Sequence, residues 1–289
     1  IEYAWKNQSH VGNLLLLYVN GFYRDKNPEI SKLNNEKYTP YAIGRGFEGE
    51  SEYVHYNFIH KYRTTNVHPQ NHSEYIQQFD QKLGDRRFID RNRALIEIEG
   101  TSIQIEMLIY LKFWEADMII KKLYQFVRIL QGQDYDWHFK LSPSNRSEKV
   151  TGARHKIVRL KIRDPLKEIS PILYELISES YITQIRNSIA HSNYSFSNRG
   201  IFLNNYIDKD PKAQLIGISF DEWVNIFHNT LVLHNEYNRM NNYIHKLYSR
   251  FAIENQMEVP ILITEKDGTQ IEKILKYRKK QDDWSPKKK

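Results

Sequence analysis

Arg186-Asn187-Ser188-Ile189-Ala190-His191, running on into Ser192-Asn193-Tyr194, is the stretch that decides the fold. Upstream of it Leu173, Ile177, Ile182, Ile185 and Ile189 recur at helical steps, and residues 182, 185 and 189 fall within one narrow arc. The pattern predicts a helix that begins near Pro165 or Pro171 and ends at His191. Downstream, Tyr194-Ser195-Phe196, the turn residues Ser197-Asn198-Arg199-Gly200 and Ile201-Phe202-Leu203 read as a hairpin, with Leu215-Ile216-Gly217-Ile218 as a third strand.

The spacing of arginine and histidine within that stretch carries no information alone. With 17 arginines and 11 histidines in 289 residues, chance supplies about two arginines followed by a histidine after four to six residues, and three such pairs occur. Context separates them. Arg63 and His68 bracket a loop-like stretch ending at Pro69, and Arg239 and His245 lie in mid-helix. Only Arg186 and His191 have a polar residue directly after the arginine, a small-apolar filling and a place at a helix end.

Working outward, Gly100-Thr101-Ser102-Ile103-Gln104 reads as a break with a capping box, so a long helix is expected from about Ser102. Ile103, Met107, Tyr110, Leu111, Trp114 and Met118 form its apolar stripe, and Gly132 is its stop. Ser219-Phe220-Asp221-Glu222 is a second capping box opening a helix whose stripe runs from Trp223 through Phe227, Thr230, His234, Tyr237, Asn241, Ile244 and Leu247 to Phe251. In the tail, Val259 to Ile263, an Asp267-Gly268 turn and Ile271 to Tyr277 read as a hairpin, followed by the terminal lysines. Gly44-Arg45-Gly46-Phe47-Glu48-Gly49 lacks the features of a phosphate loop and reads as an ordinary loop.

Composition narrows the chemistry. The absence of cysteine excludes disulfides, thiolate nucleophiles and cysteine-ligated metals. No apolar run approaches the roughly 18 residues of a membrane span, so a soluble cytoplasmic protein without a membrane partner is expected. A net charge of +7 favours a polyanionic partner. The most basic segment holds Arg146, Lys149, Arg154, Lys156, Arg159, Lys161 and Arg163, and its alternation from Ile157 to Arg163 predicts a strand. Arg154, Lys156, Arg159 and Lys161 are candidate contacts for RNA phosphates, and Tyr194 a candidate for stacking on a base. The histidine pairs elsewhere lack a carboxylate-histidine metal motif, so neither metal nor cofactor is expected.

The residue types at the helix end suit phosphoryl chemistry. Cleaving RNA through its 2′-hydroxyl needs a base, an acid and positive charge on the phosphate. His191 is a candidate base or acid, and Arg186 can hold two phosphate oxygens at once. Asn187 lies four residues before His191 and so can orient the imidazole or bond the ribose. Arg186 and His191, five residues apart, stand roughly 140° apart on an ideal helix, so one undistorted helix cannot aim both at one phosphate. Either the helix end is distorted or a second copy shares the site. The bland alternative is that Arg186 complements the helix C-terminus and His191 bonds a last carbonyl.

Arg186, Asn187 and His191, with the helix, hairpin and capped helix around them, resemble the HEPN superfamily of helical RNA-cleaving domains of defence and toxin systems. The resemblance covers roughly half the chain. It implies a mainly α fold, a HEPN-like helical bundle with a small β-hairpin insertion, over residues 96–252. An unassigned region, residues 1–95, precedes it and is the place for a sensing or regulatory role; a C-terminal hairpin with a basic tail, residues 253–289, follows. It further implies a metal-independent endoribonuclease acting on transfer or messenger RNA, as a homodimer with a composite site. In an abortive-infection or toxin setting, an antitoxin or regulatory partner accompanies it. In one toxin branch a tyrosine stands two places after the histidine; here Asn193 stands there and Tyr194 follows, so that branch is not indicated. A non-catalytic HEPN-like module binding RNA, nucleotide or protein is the alternative.

Overall fold

The computed structural model describes residues 1–23, 40–45, 54–59, 61, 86–142, 152–197 and 199–287. The fold is mainly α, with small sheets. In chain order, helices α1 (Glu2–Asn7) and α2 (Asn13–Val19) precede the short strands β1 (Phe22–Tyr23) and β2 (Tyr41–Ala42). Next come α3 (Arg86–Trp114), α4 (Asp117–Leu130), and β3 (Leu141–Ser142) with its parallel partner β4 (Gly152–Ala153). A continuous helical run holds α5 (Arg154–Lys156), a π-helical segment (Ile157–Arg163) and α6 (Asp164–Ile169). It is followed by α7 (Pro171–Ser180), α8 (Thr183–Ala190), β5 (Tyr194–Ser197), β6 (Gly200–Leu203), β7 (Gly217–Ser219) and the 35-residue α9 (Phe220–Glu254). Strands β8 (Glu258–Thr264), β9 (Gln270–Arg278) and β10 (Asp283–Pro286) close the chain. No helix among the described residues is long and apolar enough to cross a membrane.

The chain folds into two compact units, and neither is continuous in sequence. One unit joins Ile1–Glu52, Ala116–Glu175 and Leu233–Lys289; the other joins Tyr53–Glu115 and Leu176–Val232. In the first, Leu14, Leu15, Leu16 and Leu17 of α2 are fully buried, together with Ile120 of α4 and Val259, Ile261 and Ile263 on one face of β8. Gly12 admits the close approach of α2 to β8: a Cβ there would lie 2.3 Å from the Pro260 carbonyl oxygen. Lys121 is buried in the same core, where its ammonium donates to the Gly21 carbonyl at 3.0 Å. Satisfying the ammonium in this way makes its burial tolerable. In the second unit Tyr110, Phe113 and Trp114 of α3 pack with Tyr181 and Trp223.

Three sequence expectations are corrected. Helix α3 does not begin at Ser102: it starts at Arg86 and passes through Gly100. The Thr101 hydroxyl donates to the Glu97 carbonyl within the helix and caps nothing. A single glycine costs a helix only about 1 kcal/mol, which strong helix formers on both sides outweigh. The break falls instead at Ala116, whose extended backbone (ψ 109°) opens α4, so Met118 belongs to the next helix. The stop at Gly132 is observed, with φ of +71°.

The expected basic strand is π-helical. Its alternation fails at Ile157-Val158, and Ile157 and Ile162, five residues apart, are both buried, matching a winding with i to i+5 bonds. The motif helix is not one helix either. Ser170 interrupts it before Pro171, and Ile182, expected within the arc, is the extended residue that precedes α8. Ile177, Ile185 and Ile189 do face the core.

The remaining elements fall close to where expected, except that Leu215 and Ile216 precede the third strand, which spans Gly217–Ser219. Strands β5 and β6 pair antiparallel in the register Tyr194 to Leu203, and β7 adds a third strand. The Ser219 backbone N–H donates to the Glu222 carboxylate at 2.7 Å, and the Glu222 N–H donates to the Ser219 hydroxyl at 3.1 Å, completing the capping box of α9. The tail forms the β8–β9 hairpin, extended by β10. The glycine stretch beyond Arg45, Arg63 to His68, Arg146, Lys149, Asn198 and the last two lysines lie outside the described residues.

Candidate functional site

Helix α8 is anchored before it is functional. Gln184, Ile185, Ser188 and Ile189 are buried, and the Gln184 amide clamps the backbone of Leu215, accepting from its N–H at 2.9 Å and donating to its carbonyl at 2.8 Å. The helix ends in a Schellman arrangement. The Asn193 N–H donates to the Ser188 carbonyl at 2.7 Å and the Ser192 N–H to the Ile189 carbonyl at 3.1 Å, with Ser192 left-handed at φ of 51°. The Ser188 hydroxyl donates to the Asn193 carbonyl, closing the loop from its side chain. His191 is therefore the capping residue of a helix end fixed at three points. Its own N–H donates to the Asn187 carbonyl at 3.1 Å. Its side chain is exposed.

Arg186 faces inward on the preceding turn. Its Nε donates to Glu115 at the end of α3, and its Nη1 donates to the Asn187 amide oxygen at 2.7 Å. Both partners of the ion pair are largely covered, with 18% and 29% of their side chains exposed. Burial works against the guanidinium charge, but the Glu115 carboxylate bonded to it more than compensates and raises its pKa. Asn187 thus spends its amide oxygen on Arg186. The structure brings together Arg186, Asn187 and Glu115, and places His191 at the adjoining helix terminus. The backbone stays helical through Ala190, so along the helix Arg186 and His191 keep close to the angular offset of an ideal helix.

Glu115 was invisible to sequence reasoning, because its partner lies 71 residues away and no local pattern marks it. Two further acidic residues of α3 were missed for the same reason. Glu99 holds Arg199 of the hairpin turn through bonds of 2.8 and 2.9 Å, and Arg199 also donates to Asp221 at 3.2 Å. Glu106 accepts from the Trp223 indole at 2.8 Å. Burial pushes the Glu106 carboxyl up to about 7; the indole bond opposes this and the charge of Glu99 adds to it.

The candidate RNA contacts divide between the units. Tyr194 is half-buried in β5 and meets Phe196 edge-on with ring centroids 5.6 Å apart. Burial raises the pKa of its phenol. Arg154, Lys156, Arg159 and Lys161 belong to the other unit, on α5 and the π-helical segment. Arg154 is bonded to Asp117, and Lys161 lies over the Tyr124 ring at 5.9 Å.

No family model matches the chain, and no curated protein or solved structure matches it.

Proposed function

We propose that the chain is a metal-independent endoribonuclease of the HEPN type, acting on transfer or messenger RNA as a defence or toxin effector. The observation that carries this reading is the pairing of an exposed His191 on a rigidly closed helix end with an Arg186 oriented by Glu115 and Asn187. His191 takes the 2′-hydroxyl proton, or gives one to the leaving 5′-oxygen, and Arg186 steadies the charge of the crowded phosphate. The products are a 2′,3′-cyclic phosphate and a 5′-hydroxyl.

The angular offset of Arg186 and His191 calls for a second copy of the site. Helix α3 offers a surface for it in Ile98, Ile105 and Leu108, which are 66%, 40% and 53% exposed. These residues lie within about 100° of one another and of Glu115 on a helical wheel, an arc that also carries Thr101 and Lys112 and ends at the residue that holds Arg186. A homodimer through this arc is the expected assembly. In light scattering, Ile105→Asp with Leu108→Asp should halve the mass and remove cleavage, whereas His191→Ala should leave the mass unchanged. An active wild type that is monomeric at assay concentration contradicts the shared site.

A non-catalytic HEPN-like module binding RNA, nucleotide or protein is the second reading. The ion pair with Glu115 favours it, because it gives Arg186 a structural role. Total RNA incubated in excess chelator with wild type, Arg186→Ala and His191→Ala separates the two. Only the ribonuclease reading predicts fragments with wild type and none with either variant.

A further inference from the structure

We propose that the π-helical segment Ile157–Arg163, with the turn before it, is a binding site for the phosphate backbone of single-stranded RNA, contacted by Lys156, Arg159 and Lys161. The choice of RNA among polyanions rests on the ribonuclease reading; the phosphate chemistry does not. π-Helical turns are rare and are frequently found at functional sites. Here the winding has a specific effect on charge. Residues five apart fall on one side of it, as the burial of Ile157 and Ile162 at 0% and 1% shows. Lys156 and Lys161 have the same spacing and are both exposed, whereas α-helical winding would set them roughly 140° apart.

The cations of the segment also divide by role. Arg154 is bonded to Asp117 and Arg163 to Asp164, with Arg163 also over the Tyr174 ring at 5.9 Å, so those two serve the fold. Lys156 and Arg159 have no acidic partner among the described residues. Lys161 lies over Tyr124, whose ring is also approached by Arg128 at 5.7 Å. Lys156 and Lys161 thus lie on one side of the winding, with the Asp136 carboxylate bonded to the Tyr124 hydroxyl beside Lys161, and Arg159 adds a cation on another face of the same segment. A membrane surface fits less well: Leu160, 58% exposed, is the one large apolar residue exposed on this segment, whereas an interfacial helix needs a broad apolar face.

The test uses the full chain carrying His191→Ala, so that binding is read without cleavage. Anisotropy of a labelled single-stranded RNA is followed from about 50 to 200 mM salt, where each phosphate contact contributes about 0.7 to the slope of log affinity against log salt. Lys156→Gln, Arg159→Gln and Lys161→Gln together should lower that slope by about 2 and the affinity at least about tenfold. Lys276→Gln, Lys279→Gln and Lys280→Gln, the same change of charge on exposed residues of the tail, should leave the slope unchanged. Should the first triple variant lose its circular dichroism spectrum, Lys156→Gln alone decides, with an expected fall of about 0.7. An unchanged slope, equal losses in both triple variants, or binding to phosphatidylserine vesicles in place of RNA overturns the proposal. Failure of the ribonuclease reading is separate: it appears as uncleaved RNA with the wild-type chain, whatever the slopes.

Discussion

Glu115 illustrates how a single residue sets the character of the site. Its bond to Arg186 aligns the guanidinium but also neutralises it, so substitution has two separable effects. Glu115→Ala should slow RNA cleavage by at least about tenfold through loss of alignment, and lower stability by about 1–3 kcal/mol because a partly buried guanidinium loses its partner. Glu115→Gln, which keeps an acceptor, should recover much of the rate. Equal rates for all three chains in a single-turnover assay contradict a positioning role. Glu106 gives a pH signature. Its carboxyl sits near 7 in the folded chain, above its ordinary value of 4.5, so the folded state binds the proton more tightly. Stability is therefore full below about 4.5 and falls as pH rises through about 7, by roughly 3 kcal/mol. Thermal unfolding of Glu106→Gln should lack that fall; an identical pH profile for the two chains argues against it. None of these acidic partners was legible in the sequence. The reading of Arg186, Asn187 and His191 rests instead on a local signal, a polar residue after the arginine, small-apolar filling and the end of an apolar stripe, and the helix end forms where that signal put it.

Among elements, the legible ones carry their own punctuation. The Ser219–Glu222 capping box, the Asp267-Gly268 turn and the hairpin after Tyr194 are specified within four to ten residues, and each forms where it was read. The misread ones are those whose outcome depends on packing. Gly100 does not break α3, where it is buried in mid-helix. The segment from Ile157 presents an alternation that satisfies a strand as readily as a five-residue registry, and burial of both Ile157 and Ile162 selects the latter. Two substitutions test the local account. Ser192→Gly removes the left-handed strain at the end of α8 and should stabilise by about 0.5–1 kcal/mol, raising the melting temperature by a few degrees. Gly12→Ala should do the opposite, by about 1–3 kcal/mol, because its Cβ meets the Pro260 carbonyl, which belongs to a paired strand and cannot yield. A melting curve for each variant checks the sign, and a destabilised Ser192→Gly chain would contradict the Schellman reading.

At the scale of the whole molecule, the sequence conveyed a mainly helical chain but not its partition. Each compact unit is assembled from segments far apart in sequence. Hydrophobic periodicity reports which face of an element is inward; it does not report which distant element covers that face, and so the discontinuous units could not be read from it. Arg186, Asn187, Glu115 and His191 all belong to one unit, and the basic π-helical segment to the other. The central claim concerns the first: that Arg186 and His191 cleave RNA without a metal. Its most direct measurement is the chemistry of the RNA ends produced in excess chelator by the wild-type chain and by His191→Ala. The account predicts 2′,3′-cyclic phosphate and 5′-hydroxyl ends from the wild type, at a rate at least about a hundredfold above the variant. Products ending in a 3′-hydroxyl, or undiminished cleavage by His191→Ala, would contradict it.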